Sequence, residues 1–184
     1  MDTESIQMSG ETMLKLLNTL NVMLEENDER LELLIIGGAH MCLVQMSRHS
    51  SHDIDTYTKD KELVFKYRDL IRAQVNNKID KTWINAVGDM FVTQEILNDA
   101  YLLYNFSNLK IYTPTDRAML ALKVASGRKS NSWDLDDAAF LIKKLGLSNP
   151  ADIKLIVDCY KPGTWNKFGY HEDFCNTAVN MAYS

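Results

Sequence analysis

The sequence predicts an α+β fold: a small mixed sheet flanked by helices, followed by a C-terminal helical lobe. Two observations carry that prediction. Residues 33–58 run as an apolar stretch, a Gly-Gly pair, a short apolar segment and an Asp-Ile-Asp triplet, the order of strand, turn, helix and strand. From Thr113 onward the chain carries helix caps and terminators with no further strand signal. The expected division is therefore an α/β domain over 1–112 and a helical lobe over 113–184.

The elements follow in order. Met13, Leu16, Leu17, Leu20 and Leu24 recur at three- and four-residue spacing, which predicts a first helix ending in the charged run from Glu25 to Glu29. Leu33 to Ile36 read as a buried strand, Gly37-Gly38 as a turn, residues 39–46 as a short helix and Asp53-Ile54-Asp55 as a second strand. A helix is expected over Lys61 to Asn77, with Val64, Tyr67, Leu70 and Ile71 as its apolar stripe. The stretch from Lys81 to Val92 reads as irregular, and AYLLYNF and LKIYT as two more strands about an Asn-Phe-Ser-Asn turn, for about four strands in all.

In the later lobe Thr113 is the expected N-cap, with Pro114 at the first helical position, Asp116 as the acidic third residue and Gly127 as terminator. Asp134 is expected to cap a second helix, with Asp137 three positions on and Gly146 at its end. Asn149-Pro150 starts a third helix to about Tyr160, and residues 170–182 form a weaker fourth.

Composition narrows the function classes. At 46% hydrophobic, a chain of 184 residues can bury a proper core. There is no run of eighteen apolar residues, and the N-terminus is polar and acidic, so a soluble, unexported, cytoplasmic protein without a membrane partner is expected. A net charge of −5 argues against indiscriminate grip on nucleic acid. Lys66, Arg68 and Arg72 read first as a solvated helix face, with a polynucleotide contact as the lesser option. Cys42, Cys159 and Cys175 lack metal-ligand spacing and read as reduced core residues. His40, His49 and His52 read as polar loop residues rather than a zinc site, which needs three or four convergent ligands.

Asp53 and Asp55 are the chemical centre of the chain. Alternate strand residues share a face, so the two carboxylates lie roughly 6–7 Å apart on one side. Like charges so placed call for a cation. Lys123, flanked by Leu122 and Val124, reads by itself as a snorkelling side chain at a core boundary. Arg128 and Lys129 either join Lys123 in a cationic group or neutralise a helix C-terminus. Asp134 and Asp137, three positions apart, read by themselves as a capping arrangement.

A strand ending in Gly37-Gly38, a short helix, then Ser51-x-Asp53-Ile54-Asp55 resembles the nucleotidyltransferase fold shared by DNA polymerase beta, kanamycin nucleotidyltransferase and the minimal nucleotidyltransferases. The segment LALKVASGRKSNSWDLDDAAFLI, with a Lys, an Arg and Asp-x-x-Asp, is similar to the type IV abortive-infection toxins and related uncharacterised bacterial nucleotidyltransferase-like proteins, and Trp83-Ile84-Asn85 matches a Trp-x-Asn element of the latter. The resemblance covers roughly residues 30–146.

It implies a Mg²⁺-dependent transferase that moves a nucleoside monophosphate from a nucleoside triphosphate to a hydroxyl of RNA or protein, as the toxin of a pair with an antitoxin partner. Asp53 and Asp55 would hold the metal, with two ions about 3.5–4 Å apart in the full mechanism. Gly37, Gly38, Ser51, Lys123 and Arg128 would contact the nucleotide, and Lys123, Asp134 and Asp137 would join the two aspartates as catalytic residues. The helix after the glycines would offer amide donors to the phosphates.

The chain departs from the pattern in three places. Ala39 follows the second glycine where many transferases have a serine; His49, with Arg48 one earlier, stands where an arginine is frequent; and no third carboxylate lies on LKIYT or AYLLYNF, leaving Asp89 and Glu95 as weak candidates. A catalytically degenerate binding or interaction module is therefore the alternative. The Gly-Gly turn disfavours a nuclease, and the missing GxxxxGK[ST] loop disfavours a phosphotransferase of that type.

Overall fold

The computed structural model describes residues 7–76, 78–128, 130–166 and 170–184. Asn77 and Lys129 lie outside these. The chain divides into two compact units, one made of residues up to Met90 with Tyr101–Thr113, the other of Phe91–Ala100 with Pro114–Ser184.

The first unit is an α/β layer. Strand β1 (Met8–Ser9) leads into helix α1 (Gly10–Glu26), where Ser9 Oγ caps the first turn by accepting from the Thr12 amide at 3.2 Å. Met13, Leu16, Leu17, Leu20 and Leu24 are all buried, as their spacing requires. Each such side chain contributes about 1.5–3 kcal/mol relative to exposure. Buried Asn21 faces the other way chemically: its Oδ1 accepts from the Asn108 amide at 2.9 Å and its Nδ2 donates to Ser107 Oγ at 3.1 Å.

Strand β2 (Leu31–Ile36) is the centre of the sheet and is followed by helix α2 (Gly37–Leu43). Leu33, Leu34, Ile35 and Ile36 are all buried, the pattern of a strand covered on both faces. Strand β3 (Ser50–Ser51) pairs antiparallel with β1, and β4 (Ile54–Tyr57) antiparallel with β2. Helix α3 (Lys61–Gln74) then leads to β5 (Ile84–Asn85), which lies parallel to β4. Strands β6 (Tyr101–Asn105) and β7 (Leu109–Thr113) form the expected hairpin, and β7 runs parallel to β2. The strand order is β5-β4-β2-β7-β6.

Two expectations change here. The sheet has five strands rather than about four, because β5 lies inside the segment read as irregular. Two residues are too few to show a period. Leu70 is exposed, so the buried stripe of α3 is Val64, Tyr67 and Ile71. The basic residues of that helix have partners within the chain: Lys66 bonds Glu29 at 2.8 Å, Arg68 bonds Asp69 at 3.0 Å, and Arg72 bonds the Ile79 carbonyl at 3.2 Å.

The second unit is helical, with α4 (Gln94–Asn98), α5 (Asp116–Ser126), α6 (Ser132–Lys144), α7 (Pro150–Tyr160) and α8 (Tyr170–Tyr183). Its core includes Met119, Leu122, Leu141, Ile142, Ile153, Val157 and Phe174. Asp99 ties three helices together, accepting from Thr115 Oγ1 and from the Tyr160 hydroxyl, both at 2.5 Å. These bonds hold its carboxyl below the usual range. Thr93 Oγ1 donates to the Tyr160 carbonyl at 2.8 Å, and Lys161 Nζ to the Phe91 carbonyl at 2.8 Å. This is why residues 91–100 belong with the helices although they precede the hairpin.

The caps shift from their expected places. Thr115, not Thr113, caps α5 by accepting from the Ala118 amide, while Thr113 is the buried last residue of β7. Asn131, not Asp134, caps α6 by accepting from the Trp133 amide at 3.1 Å. Both pairs of candidates have side-chain oxygens, and the choice rests on where the neighbouring strand or loop releases the chain. Gly146 follows α6 with the paired bonds Leu147 N–Ile142 O and Gly146 N–Lys143 O, and Asn149 caps α7. Among the described residues no helix is long and apolar enough to cross a membrane.

Trp83 is fully buried, and its Nε1 donates to the Arg68 carbonyl at 3.1 Å, clamping α3 to the strand that carries Asn85. We expect Trp83→Ala to lower the urea unfolding free energy by about 3–5 kcal/mol. Trp83→Phe, which keeps most of the volume but abandons the carbonyl, should cost about 1–3 kcal/mol.

Candidate functional site

The α/β unit brings Gly37, Gly38, Ser51, Asp53 and Asp55 together. Asp55 lies in β4 opposite Ile36 of β2, and Asp53 immediately precedes that strand. Ile54 and Thr56 are buried, so the alternation turns the two aspartates to the other face. Gly37 and Gly38 are not a separate turn. They open α2, which spans 37–43 rather than 39–46.

Each glycine has its own steric reason. Gly37 has φ +68°, and a Cβ there would lie 2.8 Å from Asp55 Oδ2, so an L side chain would be both strained and in collision with the carboxylate. At Gly38 a Cβ would lie 2.7 Å from Arg48 Nη1 and 3.1 Å from Ser51 Cβ, and closer still to Ser51 Oγ. Ala39 is fully buried and packs in the hydrophobic core. The position facing the site is therefore residue 38, and the Ser51 hydroxyl fills the space beside it.

The electrostatics of the pair are unfavourable without a counter-charge. Burial first, and the neighbouring Asp55 carboxylate second, push the Asp53 carboxyl up to about 6. Asp80 adds to the rise, whereas His52 and the Asn85 hydrogen bond oppose it. Asn85 Nδ2 donates to Asp53 Oδ2 at 3.2 Å across the β4–β5 pairing. Asn85 Oδ1 is itself buried with no hydrogen-bond partner among the described residues. The Trp83-x-Asn85 spacing was the sequence signal for this residue, but its partner became visible only once β5 was placed beside β4.

Two other groups of side chains resolve differently. Asp89 is exposed and paired with Lys61, and Glu95 is exposed in the first turn of α4, so neither joins the aspartate pair. Among the described residues no set of three or more His, Cys, Asp or Glu is placed to hold a metal ion. His49 and His52 are exposed, but His40 is fully buried in α2. Gln45 Nε2 donates to its Nε2 at 2.9 Å; its Nδ1 then donates to Thr113 Oγ1 at 2.7 Å, which donates to the Ile35 carbonyl at 3.4 Å. His40 is thus a structural link between α2 and the sheet rather than a loop residue.

The helical unit brings Lys123, Arg128, Asp134 and Asp137 together. Lys123 of α5 is 8% exposed at its side chain, and its Nζ meets Asp137 Oδ2 at 2.6 Å and Asp134 Oδ1 at 3.9 Å. Asp134 Oδ2 accepts from the Arg128 amide and from Arg128 Nε, both at 3.2 Å. Lys123 is therefore a buried ion-pair member, not a snorkelling side chain. Asp134 reaches back over the preceding loop instead of capping its own helix, and Asp137 sits a turn into α6, almost fully buried.

The free cysteines also differ from expectation in part. Cys42 and Cys175 are buried, and burial pushes the Cys175 thiol up to about 12, but Cys159 is exposed.

Two measurements test this geometry. A raised Asp53 pKa means the native state keeps a proton that the unfolded chain loses above about 4, so the stability linked to that proton is fully present at low pH and lost as pH rises through about 6. Asp53→Asn mimics the neutral form. Its Tm should exceed that of the parent at pH 7.5, with the gap closing by pH 4; a gap independent of pH would contradict the assignment. For the second pair, Asp137→Ala should cost about 3–5 kcal/mol by stranding a buried ammonium, and the double change Lys123→Met, Asp137→Leu should recover most of it.

No curated protein and no solved structure matches the chain. The model of the family described as "Nucleotidyltransferase of unknown function (DUF6036)" matches residues 11–155, a stretch that includes both the aspartate pair and the Lys123 network. The chain belongs to this nucleotidyltransferase family.

Proposed function

We propose that the protein is a Mg²⁺-dependent nucleotidyltransferase that moves a nucleoside monophosphate from a nucleoside triphosphate to a hydroxyl of RNA or protein, as the toxin of a toxin–antitoxin pair. The observation that carries the metal-dependent reading is the Asp53–Asp55 pair beside Gly37, with Asp53 held back from ionising by burial and by its neighbour. Family membership supports nucleotidyl transfer. The acceptor and the toxin role rest on the sequence resemblance to type IV toxins.

The donor set fits a hard divalent cation. Mg²⁺ takes oxygen ligands, is commonly held by one or two carboxylates plus substrate phosphates, and keeps several waters. Asp53 and Asp55 would hold it, and when bound it would supply charge neutralisation to the triphosphate. The chain's own contributions are positional. Asn85 fixes Oδ2 of Asp53, and Gly37 leaves its Cβ space to the Asp55 carboxylate. In the transfer, the acceptor hydroxyl loses its proton to solvent and its oxygen bonds to the α-phosphorus as the bond to the bridging oxygen breaks, and pyrophosphate leaves carrying that electron pair. We assign nucleotide contacts to Gly37, Gly38, Ser51, Lys123 and Arg128, and catalytic roles to Asp53, Asp55, Lys123, Asp134 and Asp137.

A second reading, a degenerate nucleotide-binding or interaction module, draws on one observation: the Lys123 charge is already met by buried Asp137. Thermal stability with each nucleoside triphosphate separates the two. Under the catalytic reading, stabilisation requires Mg²⁺ and disappears in Asp53→Ala, and labelled nucleotide is incorporated into total RNA or protein of a cell extract. A shift indifferent to metal, with no incorporation from any of the four nucleotides by the folded protein, would establish the binding module instead.

A further inference from the structure

Strand β4 lies between β2 and β5, and either neighbour could set a side chain beside the aspartates. On the β2 side the residue opposite Asp55 is Ile36, which offers nothing to a cation. On the β5 side it is Asn85. Residues paired across neighbouring strands share a face, with strands about 4.8 Å apart, so Asn85 stands on the face of the aspartate pair. Its amide is already committed there. Nδ2 donates to Asp53 Oδ2 at 3.2 Å, and Oδ1 is buried with no hydrogen-bond partner among the described residues. An amide NH₂ is a donor and offers a metal no lone pair, so the atom turned toward the pair is not a ligand. It also draws one of the two oxygens of Asp53 to itself. Among the described residues no third His, Cys, Asp or Glu joins the two aspartates in a metal-holding set.

We infer that this site takes one divalent cation rather than two, and that Asn85 sets that number while holding Asp53 for the single ion. The inference deepens the proposed function and rests on it. One Mg²⁺ is satisfied by one or two carboxylates, substrate phosphates and waters, which Asp53 and Asp55 can provide. A second ion about 3.5–4 Å from the first, as in two-metal sites, has to be held against the repulsion of its neighbour and needs further carboxylate oxygens. The sheet supplies two carboxylates, and Asn85 occupies part of one. Aspartate has nearly the shape of asparagine, so an Asp at this position of β5 would bring the missing anionic oxygens to the same face in the same register.

Mn²⁺ serves as the probe, titrated into the full chain with an equimolar nucleoside triphosphate whose α,β-bridging oxygen is replaced by methylene. Electron paramagnetic resonance counts the bound ions and registers spin coupling between ions a few ångströms apart. The parent should take up one Mn²⁺ per chain and show no coupling, whereas Asn85→Asp should take up two as a coupled pair. Asn85→Ser, which removes the amide without adding charge, should keep one uncoupled ion bound about 2- to 10-fold more weakly, the value of one hydrogen bond to Asp53; this variant tests the part played by Asn85 should Asn85→Asp not fold. A coupled pair in the parent, a single ion in folded Asn85→Asp, or unchanged affinity in folded Asn85→Ser overturns this inference and leaves the proposed function standing. A parent chain that takes up no Mn²⁺, with or without the analogue, overturns both.

Discussion

The register of β4 against β2 governs the site. Pairing Ile36 with Asp55 places the carboxylate directly over the first residue of α2, and only a glycine in a left-handed conformation leaves room for it. A slip by one residue would turn Asp53 and Asp55 to the other face and bring Ile54 and Thr56 out of the interior. That slip is opposed by the complete burial of Ile54 and Thr56 and by the bond from Thr56 Oγ1 to the Asn85 carbonyl at 2.7 Å. The apolar half of β4 therefore holds its charged half in place.

The same strand shows how stability and chemistry pull apart. Burying a carboxylate beside another carboxylate is unfavourable, and the cost is visible in the raised Asp53 pKa. The surrounding fold supports it through a rigid core: Trp83 beneath β5, Tyr67 and Ile71 on α3, and the fully covered β2. In the helical unit the balance is reversed. Lys123 of α5 and Asp137 of α6 meet at 2.6 Å, each charge buried against the other. In the carboxylate pair one member raises the other's pKa by repulsion, and the other set of charges is matched within itself.

How much was legible beforehand depended on the range of the forces involved. The long helices, the hairpin, the strand before the glycines and the Asp-Ile-Asp strand were readable because periodicity and turn chemistry are local. Asp53 and Asp55 were named from their spacing, and Gly37, Gly38 and Ser51 from the resemblance; in the structure Gly37 lies against Asp55 and Gly38 against Ser51. Strand β5 was missed because two residues carry no period, and with it the bond from Asn85 to Asp53. The caps at Thr115 and Asn131 were misplaced because several nearby residues have equally suitable oxygens, and tertiary packing selects among them.

By itself, the sequence determined the α+β class, the aspartate pair on a strand face, and the residue types able to bind a metal and phosphate. These follow from backbone periodicity and side-chain chemistry, which need no distant partner. Only the tertiary structure decided that Ala39 belongs to the core, that Arg48 and Ser51 occupy the side-chain space of Gly38, and that Lys123 is buried against Asp137. Each of those depends on segments brought together by sheet register or helix packing, and no local pattern in the chain encodes which side chains will then share a space.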